Sequence, residues 1–290
     1  MRITANRMLD LAGQASSRAQ ADVGDLAAQV SSGLRVARPS DDPVAWAHAR
    51  RLELRKTVSE GRGDGVALGR DQLQETDRAL GSIGGVLAQA KELAVQAATA
   101  NYNATDRAAM SQVITGMFQA ARAAANTKTT SGEYLLAGMK SGAEPFDATG
   151  AYQGDSATRA LESGEGPIDD ATVPGSVLTA ANGVDVLPAL SRFAAALAAN
   201  DLLGIQKSID ELSAAHGQVS RARTGVGSLV TVLDEADQAR ASLEDTLQGR
   251  IAGLTEIDVV TAAGELAQRS RALEAAQAVN SKLAQLLSPR

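Results

Sequence analysis

The sequence predicts a mainly α-helical fold: an elongated helical rod whose N- and C-terminal helices pair, with a small β- or loop-rich central insertion. Three observations predict it. Apolar residues recur at alternating three- and four-residue steps near both ends of the 290-residue chain, the spacing of a coiled-coil seam. Hydrophobic residues reach 44% while aromatics reach only 2%, so alanine supplies much of the apolar surface and favours closely approaching helices over a thick globule. Between about residues 140 and 188 the helical period gives way to glycine and proline punctuation, including Gly142, Pro145, Gly150, Gly154, Pro174 and Gly183.

The first helix is expected over most of residues 3–33, with a seam of Leu9, Ala12, Ser16, Ala19, Val23, Leu26 and Val30. Ser31, Ser32 and Gly33 weaken it, and the Pro39–Pro43 segment ends it, since each proline restricts its predecessor and cannot donate a backbone hydrogen bond. Asp42 can cap a second helix with Pro43 at the first helical position. That helix carries Leu52, Leu54 and Val58, loosens at Gly61, Gly63 and Gly65 into a kink or loop, and resumes at Leu73, Thr76, Leu80, Ile83, Leu87, Ala90 and Ala94. Residues 101–105 read as a turn, with Thr105 capping a third helix bearing Met110, Val113, Met117, Ala120 and Ala124.

Helices return at Ala189 with Leu190, Phe193 and Leu197, then break near Asn200-Asp201. Ile205, Ile209 and Leu212 follow the break, and after them comes a long helix whose seam runs Val219, Ala222, Val226, Leu229, Leu233, Ala236, then Arg240, Leu243 and Leu247. Thr255 to Asp258 has the pattern of a capping box, with Thr255 as cap and Leu254 stapling onto Val259. The last seam is Val259, Ala262, Leu266, Arg269, Leu273, Ala276, Asn280, Leu283 and Leu287. A helix of ~30 residues with an uncovered apolar seam needs a partner, and the matching seam lies at the other terminus.

Composition excludes several functions. A net charge of -6 disfavours nucleic acid as a partner, because phosphate binding needs clustered Lys and Arg. Cysteine is absent and His48 and His216 are the only histidines, which removes thiolate chemistry and any local histidine ligand pair. No stretch approaches the ~20 apolar residues needed to cross a bilayer, and the N-terminus lacks a signal-peptide core, so no membrane insertion is expected. Gly61 to Gly65 lacks the preceding strand and the Lys-Ser/Thr ending of a phosphate loop. The insertion's acids, Glu144, Asp147, Asp155, Glu162, Glu165, Asp169 and Asp170, allow a carboxylate pair but have no histidine or metal-spaced neighbour. No catalytic, cofactor-binding or metal-binding residue is therefore expected.

Ser31-Ser32-Gly33-Leu34-Arg35-Val36, followed by Arg38 to Ala45, resembles the N-terminal signature of bacterial flagellin-like axial proteins, and its Pro-Ser-Asp-Asp-Pro-Val-Ala form resembles the family's hook-filament junction branch. Met1-Arg2-Ile3-Thr4, Lys91 to Ala97, Gly132 to Gly138, Tyr152 to Asp155, Glu265 to Gln268 and Leu273 to Ala275 are similar too. Leu136 stands where the family often has Phe, and the Ser288-Pro289-Arg290 ending departs from its pattern.

The resemblance implies a terminal coiled-coil layer (1–35 with 255–290), a helical middle domain (36–140 with 188–254) and a small outer insertion (141–187). It implies a secreted, extracellular structural adaptor of the flagellum, joining a hook-side junction protein to flagellin by helical self-assembly after passing an export chaperone and the flagellar export apparatus. The expected assembly seam is Leu9, Val23, Leu26, Val30, Val259, Leu266, Leu273, Leu283 and Leu287. A flagellin filament subunit and an enzyme carried by the insertion are the alternatives. With every helical seam outside residues 143–184, that stretch is also expected to be excisable without loss of assembly.

Overall fold

The computed structural model describes residues 2–162, 167–168 and 171–287. The helices are α1 (Arg2–Ser32), α2 (Pro43–Ala97), α3 (Ala104–Ala125), α4 (Val186–Ala198), α5 (Leu202–Thr255) and α6 (Val259–Leu287). A short antiparallel pair, β1 (Leu161–Glu162) and β2 (Pro167–Ile168), lies between α3 and α4 in the chain, with Leu161 opposite Ile168. The chain divides into two compact units: Met1–Val58 with Leu243–Arg290, and Ser59–Ser242.

The unit of residues 59–242 holds the main core. The expected α2 seam is sealed here, with Leu73, Leu80, Ile83, Leu87, Ala90 and Ala94 all buried. Ile205, Leu212, Val219, Val226 and Leu233 of α5 join the same core. Polar pairs flank it: Arg223 donates to both Asp77 oxygens at 2.8 and 2.9 Å, and Arg70 lies 3.4 Å from Asp234. The side-chain bond from Arg223 holds the Asp77 carboxyl below its ordinary pKa, against the opposing effect of burial. α3 packs against α4, whose Leu190, Phe193 and Leu197 are buried as expected.

Helix α2 runs unbroken through Gly61, Gly63 and Gly65, so the expected kink or loop is absent. Gly63 supplies one reason: a side chain there would run into the Arg240 guanidinium, which lies over this stretch of backbone and bonds Asp237 at 2.7 Å. Absence of a Cβ lets the guanidinium reach the helix surface, and the glycine cost to helicity is only about 1 kcal/mol per residue. Leu54 and Val58 do not face inward; both are exposed, while Leu52 is half-buried.

α3 begins two residues earlier than its expected cap allows. Asn103, not Thr105, is the cap: its Oδ1 accepts from the Thr105 and Asp106 N–H groups, and Asp106 accepts from the Asn103 N–H in return. The buried face of α3 is Ile114, Phe118, Ala121 and Ala125, flanked by Met110, Met117 and Ala124; Val113 and Ala120 are exposed. Arg107 is buried and satisfied, donating to the Ala97 and Thr99 carbonyls and to Asn200 Oδ1 at 2.8–3.0 Å. Asn200, with φ +53°, makes the expected break before α5.

The segment between α3 and α4 is loop-rich in its described residues, with two single turns of 3-10 helix at Gly175–Leu178 and Ala180–Asn182. It is not a detachable loop. Phe146 and Leu178 are buried in the core with the helical seams. Buried Gln218 of α5 accepts from the Val184 N–H and donates to the Val177 and Thr179 carbonyls.

In the unit of the two chain ends, α1 and α6 pack antiparallel on each other. Leu26 and Ala262 are buried, and Ala12, Ser16, Ala19, Val23, Val30, Leu266, Leu273 and Ala276 are half-buried. Asn280 donates across the pair to the Ala12 carbonyl at 3.0 Å, so this polar interruption of the seam has a partner. α6 is capped by Asp258, whose Oδ1 accepts from the Val260 and Thr261 N–H groups. Thr255 instead ends α5 and bonds back to the Ile251 carbonyl, which corrects the expected cap.

Candidate assembly surface

The segment between α1 and α2 closes a clasp with the segment between α5 and α6. Gly33 adopts φ +71° just past α1, a conformation that side-chain-bearing residues rarely adopt, and so turns the chain out of the helix. The Thr255 carbonyl then accepts from the Arg35 and Val36 N–H groups at 2.7 and 3.1 Å, and Ile257 N–H donates to the Gly33 carbonyl at 3.0 Å. The Arg35 guanidinium donates to the Leu254 carbonyl at 2.8 Å and lies 3.6 Å from Asp42. Asp41 accepts from the Ala37 and Arg38 N–H groups, and Asp42 from those of Val44 and Ala45. The bond from Ala45 N–H chiefly holds the Asp42 carboxyl below its ordinary value, with Val44 N–H and Arg35 adding to it against desolvation. Within the stretch that sequence reasoning singled out, Gly33 turns the chain, Arg35 and Val36 tie it to the Leu254 and Thr255 carbonyls, and Asp41 and Asp42 cap local backbone.

A second knot joins segments that are separate in sequence. The Tyr152 hydroxyl lies 2.6 Å from the Asp155 carbonyl and 3.0 Å from that of Leu136, while Asp155 accepts from the Met139 and Ala157 N–H groups. Burial, then the Asp155 charge, pushes the tyrosine up to about 12. Gly175 leaves room for the Tyr152 and Phe146 rings, whose centroids are 5.2 Å apart. Asp147 caps the adjoining turn, accepting from the Thr149 hydroxyl and from the Thr149 and Ala151 N–H groups. Those bonds, the Thr149 hydroxyl first, lower its carboxyl to about 2.

Of the expected assembly seam, Val23, Leu26, Val30, Leu266 and Leu273 lie at the α1–α6 contact, whereas Val259 is 48% exposed. The side chains of Leu9, Leu283 and Leu287 lie outside the described residues. His48 and His216 are on the surface. Glu144 lies 3.4 Å from the Tyr134 hydroxyl, and the side chains of Glu162, Glu165, Asp169 and Asp170 lie outside the described residues. Among the described residues no group of three or more His, Asp or Glu is placed to hold a metal ion, and no helix is long and apolar enough to cross a membrane.

Residues 3–141, which include the Gly33 to Val36 side of the clasp and all of α2, match the model of the bacterial flagellin N-terminal helical region. Over those residues the chain is similar to bacterial flagellins. Flagellar hook-associated protein 3 of Salmonella typhimurium is 29% identical over 155 residues, or 53% of this chain and 49% of that protein. The protein of the same name from Escherichia coli is 26% identical over the same lengths. The match thus spans about half the length of the curated relatives. Among solved structures, FlgL of Bacillus cereus superposes with a TM-score of 0.60 at 20% identity, covering 69% of this chain and 98% of that one. At that identity the likeness establishes the flagellin-like fold.

What sequence reasoning missed is how the signature works. The resemblance singled out residues 31–45, but their partner segment, Leu254 to Ile257, reads in sequence only as a helix cap. A Thr-Glu-Ile-Asp run between two helical patterns is the available signal, since two cap-forming residues three apart also fit a short extended connector.

Proposed function

We propose that this chain is a structural component of the bacterial flagellum, an adaptor that joins a hook-side junction protein to the flagellin filament. The observation that carries the reading is the likeness to hook-associated protein 3, together with a signature segment in which Gly33, Arg35 and Val36 tie the chain's two ends together. In this reading the protein is exported to the extracellular flagellum, self-assembles as a helical ring, and is held before secretion by an export chaperone on α6. The row of Leu266 and Leu273, half-buried on a single helix partner, suits a groove-binding chaperone. Structural rather than catalytic use is supported by Asp147 and Asp155, whose carboxylates are engaged as turn caps.

Deleting the gene should leave hooks without filaments while flagellin accumulates in the medium, and restoring the gene should restore filaments. Filaments of normal number in the deletion strain would overturn the adaptor reading. The family match also admits a filament subunit, which predicts an excess of copies in sheared filaments over basal hooks.

A further inference from the structure

We infer that Asn182-Gly183 is a deamidation site gated by the fold: it is protected while the turn of residues 176–184 is closed and converts to aspartate and isoaspartate when that turn opens. It is the only Asn-Gly pair in the 290-residue chain. The fold asks for each residue on separate grounds. Gly183 has φ +148°, and a Cβ there would run into Gln218 Oε1, so only glycine fits beneath the buried α5 glutamine. Asn182 supplies an amide that donates to the Ser176 carbonyl at 2.8 Å, tying the two 3-10 turns together. Both residues are exposed, so water reaches them. With no side chain on Gly183, its backbone nitrogen also meets little steric resistance on approach to the asparagine side chain.

Deamidation begins when the Gly183 backbone nitrogen loses its proton and attacks the Asn182 side-chain carbonyl carbon. A C–N bond forms there, the bond to Nδ2 breaks, and ammonia departs to leave a succinimide. Water then opens that ring: cleavage at the side-chain carbonyl gives aspartate, cleavage at the backbone carbonyl gives isoaspartate, and nothing is oxidised or reduced. In the closed turn both reacting groups are held elsewhere. The Gly183 N–H donates to the Ala180 carbonyl at 3.2 Å, and the Asn182 amide is committed to Ser176. Outer contacts keep the turn shut. Asp185 Oδ1 accepts from the Ala180 N–H at 2.8 Å, while Gln218 accepts from the Val184 N–H and donates to the Val177 and Thr179 carbonyls at 2.8–3.0 Å. Conversion is also one-way. A carboxylate has no hydrogen to give the Ser176 carbonyl, and it adds a second negative charge to the turn that holds Asp185, so a turn that has reacted cannot close on the same bonds. The dipeptide thereby keeps a covalent record of openings in the segment between α3 and α4.

The full chain, held in mildly alkaline buffer and then digested, reports the reaction: mass spectrometry reads the amide-to-acid shift at residue 182, and labelling by an isoaspartyl methyltransferase reads the isoaspartate share. Conversion in the folded parent should be at least about tenfold slower than in guanidinium chloride, since only the open fraction reacts. Gln218→Ala and Asp185→Ala each remove an outer contact. With parent-like helicity by circular dichroism, both should deamidate faster than the folded parent, Gln218→Ala by about tenfold. Asp185→Ala keeps the comparison decisive if loss of the buried glutamine unfolds the chain. Asn182→Asp, which carries one product, should speed hydrogen exchange at the Val184 amide by about tenfold. Equal rates in folded and denatured parent would overturn the gate, as would parent-like rates in the folded variants. Unchanged Val184 exchange in Asn182→Asp would overturn the one-way record, and absence of conversion in denaturant would overturn the site itself. None of these readouts depends on the chain's place in the flagellum, so the adaptor reading stands or falls separately.

Discussion

The α2 seam in the 59–242 unit and the α1–α6 seam in the terminal unit have the same spacing and different burial. Leu80, Ile83 and Leu87 are fully buried, whereas in α1 only Leu26 falls below a tenth exposed among the described seam residues, and Val23 and Val30 stay half-open. The difference lies in the number of neighbours. α2 is enclosed by α5, by the α3–α4 pair and by side chains such as Phe146 and Leu178, while among the described residues α1 packs chiefly on α6. A heptad pattern reports which face makes contact; the sealing of that face depends on how many other elements the chain brings to it.

The strongest way to break this comparison is to remove an enclosing element. Excising residues 143–184 with a short Gly-Ser linker, expected from sequence to be tolerated, should instead abolish the cooperative thermal transition, since it deletes Phe146 and Leu178 from the core. An unchanged melting curve would show that the helices seal the core without them.

Next in size is the contrast between two leucines. Leu80→Ala should cost about 3–5 kcal/mol in denaturant unfolding, as a fully buried leucine leaves a cavity, and Leu266→Ala in the free chain about 1 kcal/mol or less. Limited proteolysis should agree, cutting within residues 2–32 and 259–287 before the 59–242 unit, because sparse burial gives low local opening free energies. Equal costs and equal protection would refute the distinction drawn between the two seams.

Glycines sharpen it within one unit. Gly175→Ala must displace the Leu136 carbonyl and the Phe146 and Tyr152 rings and should destabilise by about 1–3 kcal/mol. Gly65→Ala projects into open space on a helix and should stabilise by about 0.5–1 kcal/mol. Measured melting shifts of the same sign in both variants would contradict these surroundings.

The smallest effect is acid sensitivity. Asp147 has its carboxyl depressed to about 2 from an ordinary 3.8, so its contribution is fully present above the unfolded value and is lost as pH falls toward about 2. Carboxyl-carbon NMR should find its midpoint near 2, and a midpoint at 3.8 would mean that the Thr149 and Ala151 bonds do not form in solution. Asp42 and Asp258 are lowered in the same direction, so both helix caps in the terminal unit also weaken as pH falls below the ordinary carboxylate value.

Much of this architecture was legible in the sequence because periodicity and punctuation act locally. The Leu73 to Ala94 seam, the Asp42-Pro43 start of α2 and the Asn200 break each follow from neighbouring residues. The misreadings share a cause. Gly61 to Gly65 reads as a break until Arg240, far along the chain, is laid across Gly63, and Thr255 reads as a cap until its carbonyl is seen to bind Arg35 and Val36. On α3, counting from Met110 selects a stripe next to the one that Phe118 and Ile114 bury, since an alanine-rich helix offers several weak stripes and tertiary packing chooses among them. The exposure of Leu54 and Val58 was hidden by the same ambiguity, since both fit a core seam equally well.

Six of the long-range polar contacts are nested one inside the next. Lys91 to Ser213 spans 122 residues, Arg223 to Asp77 146, Arg70 to Asp234 164, Lys56 to Gln248 192, Arg35 to Leu254 219, and Asn280 to Ala12 268. Closing a loop costs entropy that grows only as the logarithm of its length, and once an inner contact has formed, the next one out has only the added flanks to order. Folding in that order makes the core the nucleus and the clasp a late event, with the α1–α6 pair last to form. The chain ends are correspondingly first to release, and they can separate without disturbing the inner contacts.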